Sequence, residues 1–212
     1  MKQYTLHTGD NREVLKTFDD NSIDSIVTDP PYELGFMGKK WDASGIAYNI
    51  DLWKECLRVL KPGVHLLAFG GSRTYHRMTV AIEDAGFEIR DCIMWLYGSG
   101  FPKGLNISKQ IDKILDITPE VVSTVEGKKS TGSGVYNWNK EEQGTHKPEY
   151  HITKPSSKLA KQWDGWNTAL KPAHEPIVMA RKPLECSNVA ENVMKWNVGG
   201  INVDGCRVGQ RE

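Results

Sequence analysis

The sequence has no apolar run of membrane-spanning length, no paired cysteines and no net charge, and each absence narrows what the protein can be. A spanning helix needs roughly 20 consecutive apolar residues. None occurs here, and Met1-Lys2-Gln3-Tyr4 opens without the apolar core of a signal peptide, so a cytoplasmic protein with no membrane partner is expected. Cys56, Cys92, Cys186 and Cys206 are scattered and form no Cys-x-x-Cys pair, which argues against a zinc site; no metal is expected. Cys56 and Cys92 fall in apolar segments and read as buried thiols. The 27 basic and 27 acidic residues cancel, so the chain lacks the basic surplus that phosphate contacts usually leave. Locally the balance is uneven. Between residues 128 and 161, Lys128, Lys129, Lys140, Lys147, Lys154, Lys158 and Lys161 stand against Glu141, Glu142 and Glu149, as a solvated loop or a phosphate-facing flap.

What is present suits one well-buried domain with an appendage. Tyr4–Thr8 reads as a strand, and Asp10 or Asn11 caps a helix with Val14, Leu15 and Phe18 on one face. Ile23–Thr28 is a second strand, so a right-handed strand–helix–strand unit is expected. Asp10, at the tip of the first strand, is either only a cap or a ligand for a ribose hydroxyl or an adenine amino group. Residues 33–44 read as a mobile loop containing Phe36, Met37 and Trp41. Ile50, Trp53, Cys56, Leu57 and Leu60 have helical spacing that ends at Pro62-Gly63. Val64–Phe69 is a strand broken by Gly70-Gly71. Ser72 is placed to cap a helix carrying Tyr75, Met78 and Ile82, and Phe87–Tyr97 is a further strand.

Gly70-Gly71 lacks the further glycine and the lysine of a phosphate loop; its expected role is to let backbone approach a substrate at the strand tip. Residues 107–115 read as a helix, but from 119 to 165 the periodic signal fades, and stretches that long are usually functional or disordered. Trp138, Trp163 and Trp166 among the lysines are either loop anchors or base-stacking groups. Ile177–Ala180 is a strand fit to pair antiparallel with Phe87–Tyr97, and 190–193 is helical.

Residues 25–32, Ser-Ile-Val-Thr-Asp-Pro-Pro-Tyr, carry the chemistry. A buried strand stops on two prolines, which offer no N–H and hold the chain extended. Asp29, Pro30, Pro31 and Tyr32 then set a carboxylate, unpaired carbonyls and an aromatic face at the strand tip. That set suits a flat molecule bearing an NH2 group: the Asp29 carboxylate and the Pro30 carbonyl accept its two hydrogens and Tyr32 stacks on the ring. An aspartate before two prolines is also an ordinary turn.

Asp29-Pro30-Pro31-Tyr32 resembles the catalytic motif of amino-methyltransferases, which methylate an exocyclic nitrogen of adenine or cytosine in DNA. With Gly9-Asp10, the Phe69-Gly70-Gly71-Ser72-Arg73 strand end, Gly100-Phe101-Pro102-Lys103 and Leu170–Pro176, the chain is similar in motif order to the N-terminal portion of a beta-class DNA amino-methyltransferase of restriction–modification type. The resemblance implies an α/β, Rossmann-like sheet, mostly parallel with an antiparallel edge strand. It implies S-adenosylmethionine as cofactor and double-stranded DNA as partner. It also implies a catalytic core at 1–118 and 166–198, a flexible Lys- and Trp-containing loop or flap at 119–165, and the start of a target-recognition region at 199–212.

Catalytic roles fall to Asp29, Pro30, Pro31 and Tyr32, cofactor contacts to Asp10, Asn11 and Asp29, and substrate contacts to Gly70, Gly71, Ser72 and His174. His174 and Glu175 either line the pocket or close a turn. Adenine N6 is favoured over cytosine N4, because cytosine members more often begin the motif with serine. The family's Phe-x-Gly-x-Gly cofactor strand is not found. On the family's sheet order 3-2-1-4-5-7-6 the chain supplies strands 3 to 7 and lacks 1 and 2. The resemblance therefore leaves room for a complementing polypeptide or self-association, for an inactive DNA-binding remnant, and for a cytosine N4 enzyme.

Overall fold

The computed structural model describes residues 4–35, 40–98, 104–126, 149–170 and 173–209. They form two compact units, Met1–Ser99 with Ala173–Glu212, and Gly100–Pro172.

In the first unit, α1 (Asn11–Val14) is capped by the Asp10 carboxylate, and β1 is Ile26–Thr28. Helix α2 (Ile50–Val59) starts where the Asn49 side chain accepts the Leu52 N–H, and it buries Leu52, Trp53, Cys56 and Val59. Strand β2 (His65–Phe69) alternates, with Leu66 and Ala68 fully buried. Helix α3 (Tyr75–Asp84) turns Met78, Ala81 and Ile82 inward. It ends on Gly86 at φ +106, where the Phe87 N–H bonds the Ile82 carbonyl and the Gly86 N–H bonds that of Glu83. That double bond needs a left-handed residue, which glycine supplies without strain. Strand β3 is Glu88–Leu96.

The second unit holds α4 (Ile107–Ile114), β4 (Glu120–Glu126), β5 (Glu149–Lys154) and α5 (Lys158–Gln162). β4 and β5 pair antiparallel. Regular structure therefore occurs inside the stretch expected to be loop. Its exposed Val121, Val125, Tyr150 and Ile152 bury little, so the hydrophobic pattern there is weak. Asp112, buried in α4, accepts the Ser156 and Ser157 N–H groups at 2.8 and 3.0 Å. Trp163 and Trp166 pack edge to face, 5.1 Å apart, while Trp138 lies outside the described residues.

The chain returns to the first unit with β6 (His174–Arg181), α6 (Val189–Trp196) and the short α7 (Val203–Cys206). The sheet order is β1-β2-β6-β3, the 4-5-7-6 part of the expected order. β1 and β2 are parallel, and β6 runs against both β2 and β3. The reversed strand is therefore present, one place in from the edge. Among the described residues β1 has no partner on its outer side, and Val27 on it is exposed.

Tyr4–Thr8 forms no strand. Tyr4 and Leu6 are 89% and 85% exposed, so its alternation buries nothing and no sheet edge receives it; the expected strand–helix–strand unit is not formed. Long-range polar straps hold the chain that follows, between residues 15 and 21. Arg58 donates to the carbonyls of Leu15 and Phe18 at 3.0 and 2.9 Å, and Lys182 to the Leu60 carbonyl and Asn21 Oδ1, both at 2.7 Å. Asn192, fully buried, joins Pro62 to Glu185. No described helix is long and apolar enough to cross a membrane.

Leu66→Ala, which empties the centre of this core, is expected to lower the unfolding free energy by about 2–5 kcal/mol, read by denaturant titration. Burial pushes the Cys56 thiol up to about 12. The protonated thiol favours the folded chain, so this contribution is complete below the ordinary thiol range and is lost as pH rises towards 12. Cys92, expected to be buried, is exposed on β3. At about pH 8, alkylation read by mass spectrometry should label Cys92 and Cys206 promptly and Cys56 only on unfolding.

Candidate active site

Three chain segments meet at one end of the sheet. Thr28 closes β1, so Asp29 stands just beyond the strand tip; Phe69 closes β2; and β6 begins at His174 because it runs the other way. The Gly70 N–H bonds the Pro176 carbonyl at 3.0 Å, tying the end of β2 to the start of β6.

Tyr32 is held at both ends. The Thr74 hydroxyl donates to its carbonyl at 2.6 Å. A Cβ at Gly71 would lie 3.2 Å from Tyr32 Cδ2, so the missing side chain makes room for the Tyr32 ring edge. The glycine pair thus admits a side chain of the protein itself. At the far end, burial and then the negative charges of Asp29 and Glu175 hold the Tyr32 phenol well above its usual range. It stays protonated, and remains a donor, throughout the physiological range.

The described ends of the loop after Tyr32 are hydrogen-bonded to each other. Glu33, in the left-handed region at φ +56, gives its N–H to Asp42 Oδ1 at 3.1 Å. Its carboxylate receives the Gly45 N–H at 2.8 Å and the Ser44 hydroxyl at 3.1 Å. A non-glycine residue there costs about 1 kcal/mol, which these bonds offset. Phe36 and Met37 lie outside the described residues, and Trp41 is exposed.

Asp29 is exposed, and among the described residues no cation forms an ion pair with it and no hydrogen bond reaches the Pro30 carbonyl. Apart from the influence of the Tyr32 phenol on Asp29, both acceptors are open. Behind Tyr32, a cavity of about 10 Å³ is lined by Pro31, Tyr48, Phe69, Gly70 and Met78 among others. It has room for one water molecule, far less than a nucleoside. The Tyr48 hydroxyl is the one buried side-chain polar atom without a hydrogen-bond partner among the described residues.

The remaining expected site residues are dispersed. Asp10 accepts from the Arg12 guanidinium and backbone N–H, which hold its carboxyl down at about 2. Asn11 opens α1 beside it. Ser72 is exposed and caps nothing: Thr74 takes the cap position, without a side-chain bond, because Gly70-Gly71 is followed by a further turn. His174 stands opposite Leu96, and Glu175 opposite Trp95 on the other face of the sheet. Glu175, which reads in the sequence as either pocket or turn, is with Asp29 one of the two carboxylates whose charge acts on the Tyr32 phenol.

A sequence model of the DNA methylase family matches residues 23–197. The chain belongs to the DNA methylase family. Among relatives in this family, it is similar to the type II methyltransferase M.HindIII of Haemophilus influenzae, 24% identical over 93% of this chain and 64% of that protein. It is also similar to M.HpaI of Haemophilus parainfluenzae, 33% identical over 50% of this chain and 36% of that one. The chain thus spans less than two thirds of the length of these relatives. Among crystal structures, the M1.HpyAVI–SAM complex aligns over 82% of this chain and 54% of that one, with 15% identity and a TM-score of 0.40.

A methyl at Gly70 would lie 2.9 Å from Tyr75 Cβ, tighter than any contact at Gly71 and against less yielding atoms. Gly70→Ala should therefore lower the thermal midpoint more than Gly71→Ala, each costing about 1–3 kcal/mol. Gly71→Ala alone should perturb the near-ultraviolet circular dichroism through Tyr32.

Proposed function

We propose that this chain provides the base-gripping side of an S-adenosylmethionine-dependent DNA amino-methyltransferase. The observation that carries the reading is the strand tip itself: Asp29 exposed without an ion pair, the Pro30 carbonyl unbonded, and Tyr32 fixed beside them. An exocyclic amine has two hydrogens, and two acceptors side by side draw both into bonds. Those bonds turn the nitrogen lone pair out of conjugation with the ring, and Tyr32 holds the ring plane. A stacked base cannot present its amine to this tip, so the reading requires an extruded nucleotide in double-stranded DNA. The effect on rate is one of positioning.

S-adenosylmethionine supplies the electrophilic methyl group in such enzymes. The described residues do not fit it: Asp10 is engaged by Arg12, the cavity behind Tyr32 is water-sized, and the sequence contains no Phe-x-Gly-x-Gly segment. We therefore assign the residues of this chain to the acceptor alone. The unpaired outer side of β1 is where further strands would add, from the remainder of a longer protein, a complementing polypeptide or a second copy. Adenine N6 is the preferred acceptor because Asp29 rather than serine begins the motif. The same misfit favours, as a second reading, a DNA-binding remnant without activity.

Asp29→Ala should leave the circular dichroism unchanged and reduce transfer of labelled methyl to unmethylated duplex DNA by at least about a hundredfold. The assay is run with and without a chain carrying the Phe-x-Gly-x-Gly strand. Undiminished transfer would refute the assignment, and no transfer under either condition would favour the remnant.

A further inference from the structure

Asp29 and Glu175 are 146 positions apart in sequence, yet the charge of each acts on the phenol of Tyr32. Ladder register independently fixes the face on which Glu175 lies, the one that carries Phe69, which lines a cavity together with Tyr32. Glu175 faces Trp95 across the β3–β6 pair, and two residues later Ile177 faces Phe69 across the β2–β6 pair. Side chains two apart on a strand share a face, so Glu175 lies on the face that carries Phe69 and Trp95, whose rings are 6.4 Å apart. The bond from the Gly70 N–H to the Pro176 carbonyl fixes the backbone beside Glu175 against the strand end that supports Tyr32. Among the described residues neither carboxylate has an ion-pair partner.

A phenol carries one hydrogen and can give it to one carboxylate at a time. If Tyr32 gave it to Asp29, the acceptor meant for the amine would be partly filled, and the ring would swing towards it. A hydrogen bond to Glu175 instead anchors the far end of the ring, while the Thr74 bond anchors the near end.

We infer that Glu175 is a positioning residue of this site: it takes the Tyr32 phenol hydrogen, fixes the plane on which the base stacks, and leaves Asp29 open to the amine. The inference rests on the methyltransferase reading for its purpose, but not for its geometry.

The test separates the two. With tyrosines labelled by carbon-13 at Cζ, the resonance lost in Tyr32→Phe identifies Tyr32 among the seven. In the protein alone, Glu175→Gln should move that resonance and leave the other six in place. Glu175→Asp, which keeps the charge but withdraws it by one methylene, should move it less. A Tyr32 resonance unmoved by either variant overturns the inference.

Where methyl transfer to mixed-sequence unmethylated DNA is measurable, Glu175→Gln should lower kcat about tenfold and change KM for the DNA less than about threefold. In the Tyr32→Phe background it should add less than about twofold, because its effect passes through the phenol. Fully additive losses overturn the inference. Absence of transfer by the unaltered protein would count against the methyltransferase reading, while the resonance of Tyr32 still judges Glu175.

Discussion

The site depends on one strand running backwards. Because β6 enters between β2 and β3 in the opposite direction, its first residues lie beside the last residues of β2. A parallel strand in that place would bring its end there, and Glu175 would be a strand length away, about 20 Å. The reversal brings residues 29–32, 70–71 and 174–176 to one edge of the sheet. The Gly70–Pro176 hydrogen bond then fixes their spacing. Tyr32 is the common neighbour: Thr74 holds its carbonyl, Gly71 admits its ring, and the charges of two carboxylates act on its hydroxyl.

Contrast between two aspartates shows how local geometry separates structural from chemical roles. Asp10 and Asp29 each follow a stretch that reads as a strand. Asp10 is followed by a helix, so its carboxylate caps Arg12 and pairs with its guanidinium, and its acceptor sites are occupied. Asp29 is followed by two prolines, which offer it no N–H, and by no helix. Its carboxylate is left exposed. Proline thus acts by omission: it withholds the nearby N–H groups that would otherwise satisfy the carboxylate and its neighbouring carbonyl.

This explains what could be read in advance. The Asp29–Tyr32 tip, the faces of α2 and α3, and the antiparallel β3–β6 pair follow from short-range pattern: a strand ended by prolines, apolar residues at helical spacing, and two apolar runs fit to pair. Features set by distant partners could not be read so. Arg58 and Lys182 look like surface cations in sequence, but they bind backbone carbonyls of segments far along the chain. The role of Gly71 depends on a tyrosine 39 positions earlier, and that of Glu175 on the order of strands. The β4–β5 pair was missed because its outward face is apolar without being buried, which erases the alternation on which strand reading relies. Ser72 was misread because one more turn intervenes before the helix, moving the cap position to Thr74.

A grip of this kind can be built without the rest of the cleft. Its acceptors are one side chain and one carbonyl at a strand tip, and their supports come from β2, α3 and β6, all within one unit with its own buried core. No part of that support uses the outer side of β1, which stays unpaired among the described residues. Strands added there would extend the sheet away from Glu175 and Tyr32 and would reach the tip only from the Asp29 side. On the proposed reading, base holding and methyl-donor holding fall on opposite sides of Asp29, and this aspartate is the residue of the tip that both sides could share.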